Sequence, residues 1–219
     1  MRRTRVKICG ITRIEDAVEA VSCGADAVGF VCYERSPRFV PRARLRELAR
    51  SLPPFVTPVL LFVNAAAAEV RACLAEVPAA LLQFHGDETA ADCERFARPY
   101  LRAVPIGGQS DLLDCQRVFH SAIALLADAP TAGFGGGGTV FDWSRLPAPR
   151  SRTMPLVLAG GLDEDNVSDA IARVRPFAVD VSSRVESAPG IKSAERIARF
   201  CAAVRLADRR EHPEPSDTA

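Results

Sequence analysis

Along this chain, short apolar runs alternate with longer stretches whose apolar residues recur every three or four positions. "RVKIC" (5–9) predicts a strand, and "IEDAVEAVSCG" (14–24) a helix closed by glycine. "ADAVGFV" (25–31) predicts a second strand. "PRARLRELARSL" (41–52) predicts a helix with proline in its first turn and Leu45, Leu48 and Ala49 on one face. The alternation continues with strands over 55–63, 79–85, 100–106, 121–128, 154–161 and 177–183. Helical patterns cover 65–77, 86–97, a stretch around 109–118, 163–174 and 192–207. The polar, proline-containing end, "DRREHPEPSDTA", predicts a disordered tail over 208–219.

Eight strands, nearly all followed by helices, imply an α/β fold with a parallel sheet covered by helices. The simplest closure of an eightfold repeat is a single (β/α)8 TIM barrel, here over residues 1–207. An open, doubly wound sheet is the structural competitor. No linker-like stretch divides the chain, and the glycine run 135–138 is too short and embedded to mark a boundary.

Charge narrows the classes of partner. With 28 basic and 27 acidic residues the formal net charge is +1. That balance gives no broad field for nucleic acid or an anionic membrane, so recognition of a phosphate must be local. No apolar stretch approaches the roughly 20 residues of a spanning helix, and the basic start lacks a secretory h-region. The seven cysteines, Cys9, Cys23, Cys32, Cys73, Cys93, Cys115 and Cys201, form neither a CxxC pair nor a metal-like cluster. Reduced thiols in a cytoplasmic protein that holds no metal are the expectation.

Side chains two apart on a strand share a face, and barrel ligands bind at the carboxyl ends of the strands. Lys7 with Cys9, Gln83 with His85, Leu126 with Asp128, and Asp180 with Ser182 therefore gather at the ends of strands one, four, six and eight. Buried polar groups need a partner or a ligand. Each has a plain structural reading too: Cys9 as packing, Asp128 as a turn cap, His85 as a hydrogen-bonded support, and Lys7 as the partner of an internal carboxylate. Glycines in "GFGGGG" (133–138) and "AGGL" (159–162) can expose backbone N–H groups to an anion, or can simply turn the chain. Arg38, in "ERSPRFV", is either a carboxylate clamp or a solvated loop residue.

Taken in order, "VKICGITRIEDAVEAVSCGADAVGFV", "SPRFV", "LLQFHGDE", "GGGGTVFDW", "LAGGLDEDNV" and "FAVDVSS" resemble phosphoribosylanthranilate isomerases over roughly residues 5 to 200. The resemblance implies a TIM barrel without metal or organic cofactor. The implied reaction is an Amadori rearrangement of N-(5-phosphoribosyl)anthranilate to 1-(2-carboxyphenylamino)-1-deoxyribulose 5-phosphate in tryptophan biosynthesis. It assigns the general base to Cys9 and the general acid to Asp128. Arg38 would bind the anthranilate carboxylate. Gly160 and Gly161, with Ser182 and Ser183, would bind phosphate, and Gly136 and Gly138 belong to the neighbouring glycine loop. Gln83, His85 and Asp180 would line or support the pocket. The implied partner is this small phosphosugar–anthranilate substrate, and the chain would act as a monomer or homodimer.

Two departures stand out. Arg184 replaces the glycine that usually follows the paired serines, bringing strain if its φ must be positive and a further cation if not. Gly137 and Thr139 replace a serine and a lysine of the usual glycine loop. A histidine-pathway ketol isomerase would share the phosphate chemistry, but typically carries an acidic residue where this chain has Cys9. A noncatalytic binding barrel would have no need of both Cys9 and Asp128.

Overall fold

The computed structural model describes residues 3–107, 111–130 and 140–211. Eight parallel strands close into a barrel: β1 (Arg5–Cys9), β2 (Ala27–Val31), β3 (Thr57–Phe62), β4 (Leu81–Phe84), β5 (Tyr100–Pro105), β6 (Ala124–Asp128), β7 (Leu156–Leu158) and β8 (Ala178–Val181). Closure occurs at the seam where β1 pairs with β8, with Lys7 opposite Asp180 in register.

Helices α1 (Ile14–Ser22), α2 (Arg42–Arg50), α3 (Ala67–Glu76), α4 (Ala90–Glu94), α5 (Leu112–Val118) and α6 (Val167–Val174) connect most of these strands. Among the described residues, β6 leads to β7 through two short 3-10 turns, Trp143–Arg145 and Pro149–Ser151. α6 shows the packing logic: Val167, Ala170, Ile171 and Val174 recur at helical spacing and are all buried. α4 is shorter than its sequence pattern, and starts at a capping box in which Thr89 and Asp92 exchange side-chain and backbone hydrogen bonds.

Two large hydrophobic regions result, with a third, four-residue cluster of Cys9, Val31, Leu61 and Val63 at the barrel mouth. The larger lies between strands and helices and contains the fully buried Phe30, Phe62, Tyr100 and Phe200. The smaller fills the barrel floor with Val59, Leu101, Leu126 and Val157, interleaved with alanines. Alternation along each strand sends one set of side chains outward and the other into this closed interior.

Beyond β8 the chain forms a small antiparallel hairpin, β9 (Glu186–Ala188) with β10 (Ile191–Lys192), which the sequence pattern did not predict. The hairpin delays the last helix, α7, to Ala194–Glu211. α7 thus continues four residues past position 207, where the disordered tail was expected to begin. Its persistence has a cause: Asp208 accepts hydrogen bonds from the Thr4 backbone N–H at 2.9 Å and from its hydroxyl at 2.7 Å. Residues 212–219 lie outside the described part. Among the described residues, no helix is long and apolar enough to cross a membrane.

Candidate active site

Cys9 ends β1 and points into the mouth of the barrel, where Val31, Leu61 and Val63 surround it. Its neighbour across the β1–β2 ladder is Gly29. A β-carbon at Gly29 would lie 2.7 Å from the Cys9 sulfur, so the missing side chain is what makes room for the thiol. Directly after Cys9, Gly10 has φ +76°, a left-handed turn that lets the Arg38 side chain cross close above the backbone.

Below Cys9, Lys7 and Asp180 form a buried ion pair at 2.9 Å. Burial works against the Lys7 ammonium, but Asp180 and Cys9 outweigh it and hold its pKa above the ordinary value. Burial raises Asp180, and Lys7 opposes that shift only in part. Burial likewise pushes the Cys9 thiol up, while Lys7 and, more weakly, Lys192 pull it down. The thiol therefore ionises less readily than a free cysteine.

Asp128 ends β6 and turns into the same cavity. One carboxyl oxygen accepts the Ala129 N–H at 2.8 Å, and the other lies 3.1 Å from His85 Nε2. Gln83 Nε2 sits 3.1 Å from His85 Nδ1. An amide nitrogen only donates, so Nδ1 accepts and the neutral ring carries its proton on Nε2, facing Asp128. Gln83 Oε1 is buried without a hydrogen-bond partner. Turning that amide over would match a protonated ring, with Nδ1–H donated to Oε1. Gln83 and His85 thus form a two-residue line ending on the carboxyl of Asp128.

Cys9, Arg38, Gln83, His85, Asp128, Gly160, Gly161, Asp180, Ser182 and Ser183 all line one cleft at the carboxyl ends of the strands. Gly160 (φ +81°) and Gly161 (φ +65°) are consecutive left-handed residues after β7. A β-carbon on Gly160 would come within 2.6 Å of the Ala129 nitrogen. Only glycine lets this turn approach β6 so closely. The Ser182 hydroxyl donates to the Cys9 carbonyl at 3.0 Å, so it ties the ends of β1 and β8 together. Gly136 and Gly138, like Gly137 and Thr139, lie outside the described residues.

Arg184 sits on the rim of the same cleft, in the 3-10 turn Ser183–Val185. It is not among the residues with positive φ, so the arginine fits without the strain that a left-handed position would impose. Arg38 is no solvated loop residue. Its Nε and Nη2 donate to the two oxygens of Glu186 at 2.7 and 2.8 Å. Glu186 in turn meets Lys192 Nζ at 2.8 Å. Sequence reasoning passed over Gly29, Glu186 and Lys192. Gly29 becomes visible only through the register of β1 against β2, and the other two only through the fold-back of β9 and β10. Among the described residues, no group of three or more His, Cys, Asp and Glu side chains is placed to hold a metal ion.

Comparison with known proteins now bears on this geometry. Residues 6–203 match the family model described as N-(5'-phosphoribosyl)anthranilate (PRA) isomerase. The chain belongs to the phosphoribosylanthranilate isomerase family. The N-(5'-phosphoribosyl)anthranilate isomerase of Methylibium petroleiphilum is 58% identical over 208 residues, covering 95% of this chain and 97% of the relative. A solved structure of monomers of the dimeric phosphoribosylanthranilate isomerase from Thermotoga maritima superimposes with a TM-score of 0.81 at 37% identity, covering 93% of this chain and 99% of that one. A further family structure was solved in complex with reduced 1-(o-carboxyphenylamino)-1-deoxyribulose 5-phosphate. It superimposes with a TM-score of 0.76 at 36% identity, over 93% of this chain and 99% of that one. The TIM barrel expected from the strand pattern is therefore both the architecture of the chain and that of its family.

Proposed function

We propose that this chain converts N-(5-phosphoribosyl)anthranilate to 1-(2-carboxyphenylamino)-1-deoxyribulose 5-phosphate, with Asp128 as acid and Cys9 as base. The observation that carries the residue roles is that a thiol from β1 and a carboxyl from β6 line one cleft, flanked by an arginine and a glycine pair.

The chemistry follows from the groups present. Asp128 donates a proton to the furanose ring oxygen as the substrate nitrogen pushes its lone pair toward C1. The C1–O bond breaks, leaving a C4 hydroxyl and a C1 iminium. The resulting Asp128 carboxylate is stabilised by the Ala129 N–H and the His85 Nε2–H already aimed at it. Cys9 thiolate then removes the C2 proton, and the electron pair moves toward the iminium to give an enolamine. Protonation at C1, with loss of the C2 hydroxyl proton, yields the ketone. Only protons move between enzyme and substrate, which is work for tuned side chains.

Binding uses charge at the two ends of the substrate. Arg38 takes the anthranilate carboxylate, and the backbone of Gly160–Gly161 and Ser182–Ser183, with Arg184 at the rim, takes the phosphate. Asp180 holds Lys7 beneath the thiol. The chain works in the cytoplasm as a monomer or as a homodimer, the latter state being the one named for the Thermotoga maritima relative.

The test is direct. Purified protein mixed with phosphoribosylanthranilate should consume its fluorescence and form a product of unchanged mass. Cys9→Ala and Asp128→Asn should each lower kcat by at least about a hundredfold, the usual contribution of a positioned acid or base. Near-normal turnover in both variants would end the assignment.

A further inference from the structure

Lys192 and Glu186 take no part in the proton transfers, yet they are buried beside them. The Lys192 side chain is fully enclosed, and Glu186 is 5% exposed. Glu186 grips Arg38 along its Nε–Nη2 edge. Nη1, on the other side of the guanidinium, has no partner among the described residues. Lys192 meets the same Glu186 carboxylate and also donates to the Ser182 carbonyl at 3.0 Å. Of the further charges at this cluster, the solvent-exposed Arg196 donates to the Glu186 backbone carbonyl at 2.6 Å, and Asp16, paired with Arg13, accepts the Lys192 backbone N–H at 3.0 Å.

A structural clip would need one cation for one carboxylate. Here two cations converge on one. Enclosed ion pairs give little net stability over apolar residues of the same size, so a surplus positive charge in this position needs another explanation. An anion arriving in the cleft would supply it.

We propose that Glu186 and Lys192 are positioning residues for recognition of the substrate's carboxylate. Glu186 turns the Nη1 edge of Arg38 to the cleft, and Lys192 cancels the charge of Glu186, so the cluster keeps a net +1 for the incoming anion. The inference rests on the isomerase reading and deepens it: specificity for a carboxylated aromatic amine resides in three residues, of which only Arg38 meets the ligand.

Charge counting gives the test. Two ligands are compared by calorimetry on the full chain: reduced 1-(o-carboxyphenylamino)-1-deoxyribulose 5-phosphate and its phenylamino counterpart without the carboxyl group. The ratio of their affinities measures carboxylate preference. Lys192→Met leaves the cluster neutral and should cut that ratio about tenfold, as expected for one partly screened charge. Affinity for the phenylamino ligand should fall much less, through the lost Lys192–Ser182 contact alone. Glu186→Gln with Lys192→Met returns the count to +1 and should restore the ratio, whereas two lost clip contacts would damage it further. Lys192→Arg should keep the ratio of the unmodified chain. Should Lys192→Met fail to fold, Glu186→Gln alone decides: the glutamine oxygen still accepts from Arg38 and holds its orientation while the count rises to +2, so the ratio should match or exceed that of the unmodified chain. Equal weakening of both ligands, or an unchanged ratio in Lys192→Met, overturns the proposal. Absence of both turnover and binding in the unmodified chain would instead overturn the isomerase reading itself.

Discussion

Gly29 stands opposite Cys9 on the neighbouring strand, and its hydrogen occupies the place where any side chain would meet the sulfur. A methyl group at Gly29 would sit 2.7 Å from Sγ, well inside contact distance, and both neighbours are held by the sheet. Gly29→Ala should therefore displace the thiol. We expect a stability loss of about 1–3 kcal/mol, typical of an overfilled interior. Misplacing a reacting group by a fraction of an ångström should lower kcat by roughly ten- to a hundredfold. Thermal melts and single-turnover kinetics check the two parts. An unchanged kcat would mean that the sulfur position does not matter to the reaction.

Burial raises the Cys9 pKa, and Lys7 only partly offsets it. A base works when deprotonated, so raising its pKa moves the active range to higher pH. The kcat/KM profile should climb with pH to a midpoint above the usual thiol value of about 8.5. The rate of iodoacetamide alkylation at Cys9 should follow the same curve. A midpoint below 8.5 in both would remove Cys9 from the role of base in a desolvated site.

Lys7 links that pH response to stability. Lys7→Met strands the Asp180 carboxylate in the barrel and should cost about 3–5 kcal/mol, read from denaturant unfolding. It also removes the main opposition to the raised Cys9 pKa, so the alkaline limb should move up further. Adding Asp180→Leu should recover most of the stability. The limb should remain high, because Lys7 acts on Cys9 more strongly than Asp180 does. Return of the limb to its original position would contradict this account.

The placement of Lys7 and Asp180 shows how much could be read in advance. Period-two alternation put polar residues at the strand ends, and strand count implied closure. Together these brought Lys7, Cys9, Gln83, His85, Asp128 and Asp180 to one end of the fold. Closure sets the first strand beside the eighth but fixes neither their register nor the reach of side chains across the mouth, so neither the Lys7–Asp180 contact nor the His85–Asp128 contact could be deduced as a pair. Glu186 and Lys192 were illegible for another reason. They come from a two-strand hairpin too short to leave a periodic signal, and their meaning depends on where Arg38 arrives from a distant loop.

Arg184 offers a test at the other end of the substrate. Its backbone lies outside the left-handed region, so Arg184→Gly relieves no strain and removes a cation from the rim of the cleft. KM should rise roughly three- to tenfold with kcat little changed, the pattern for a contact made equally in ground and transition states. Inhibition by inorganic phosphate should weaken in parallel and become less sensitive to salt. A fall in kcat at constant KM would place Arg184 in the chemistry rather than in binding.

The seam between the first and eighth strands has a consequence for how activity arises during synthesis. Lys7 is made 173 residues before Asp180, so the floor beneath the sulfur is incomplete until the eighth strand has been made. A truncated half-barrel holds a lysine without its counter-ion and a thiol without the Ser182 tether. The contacts beneath and beside Cys9 are thus completed only by the final join of the ring.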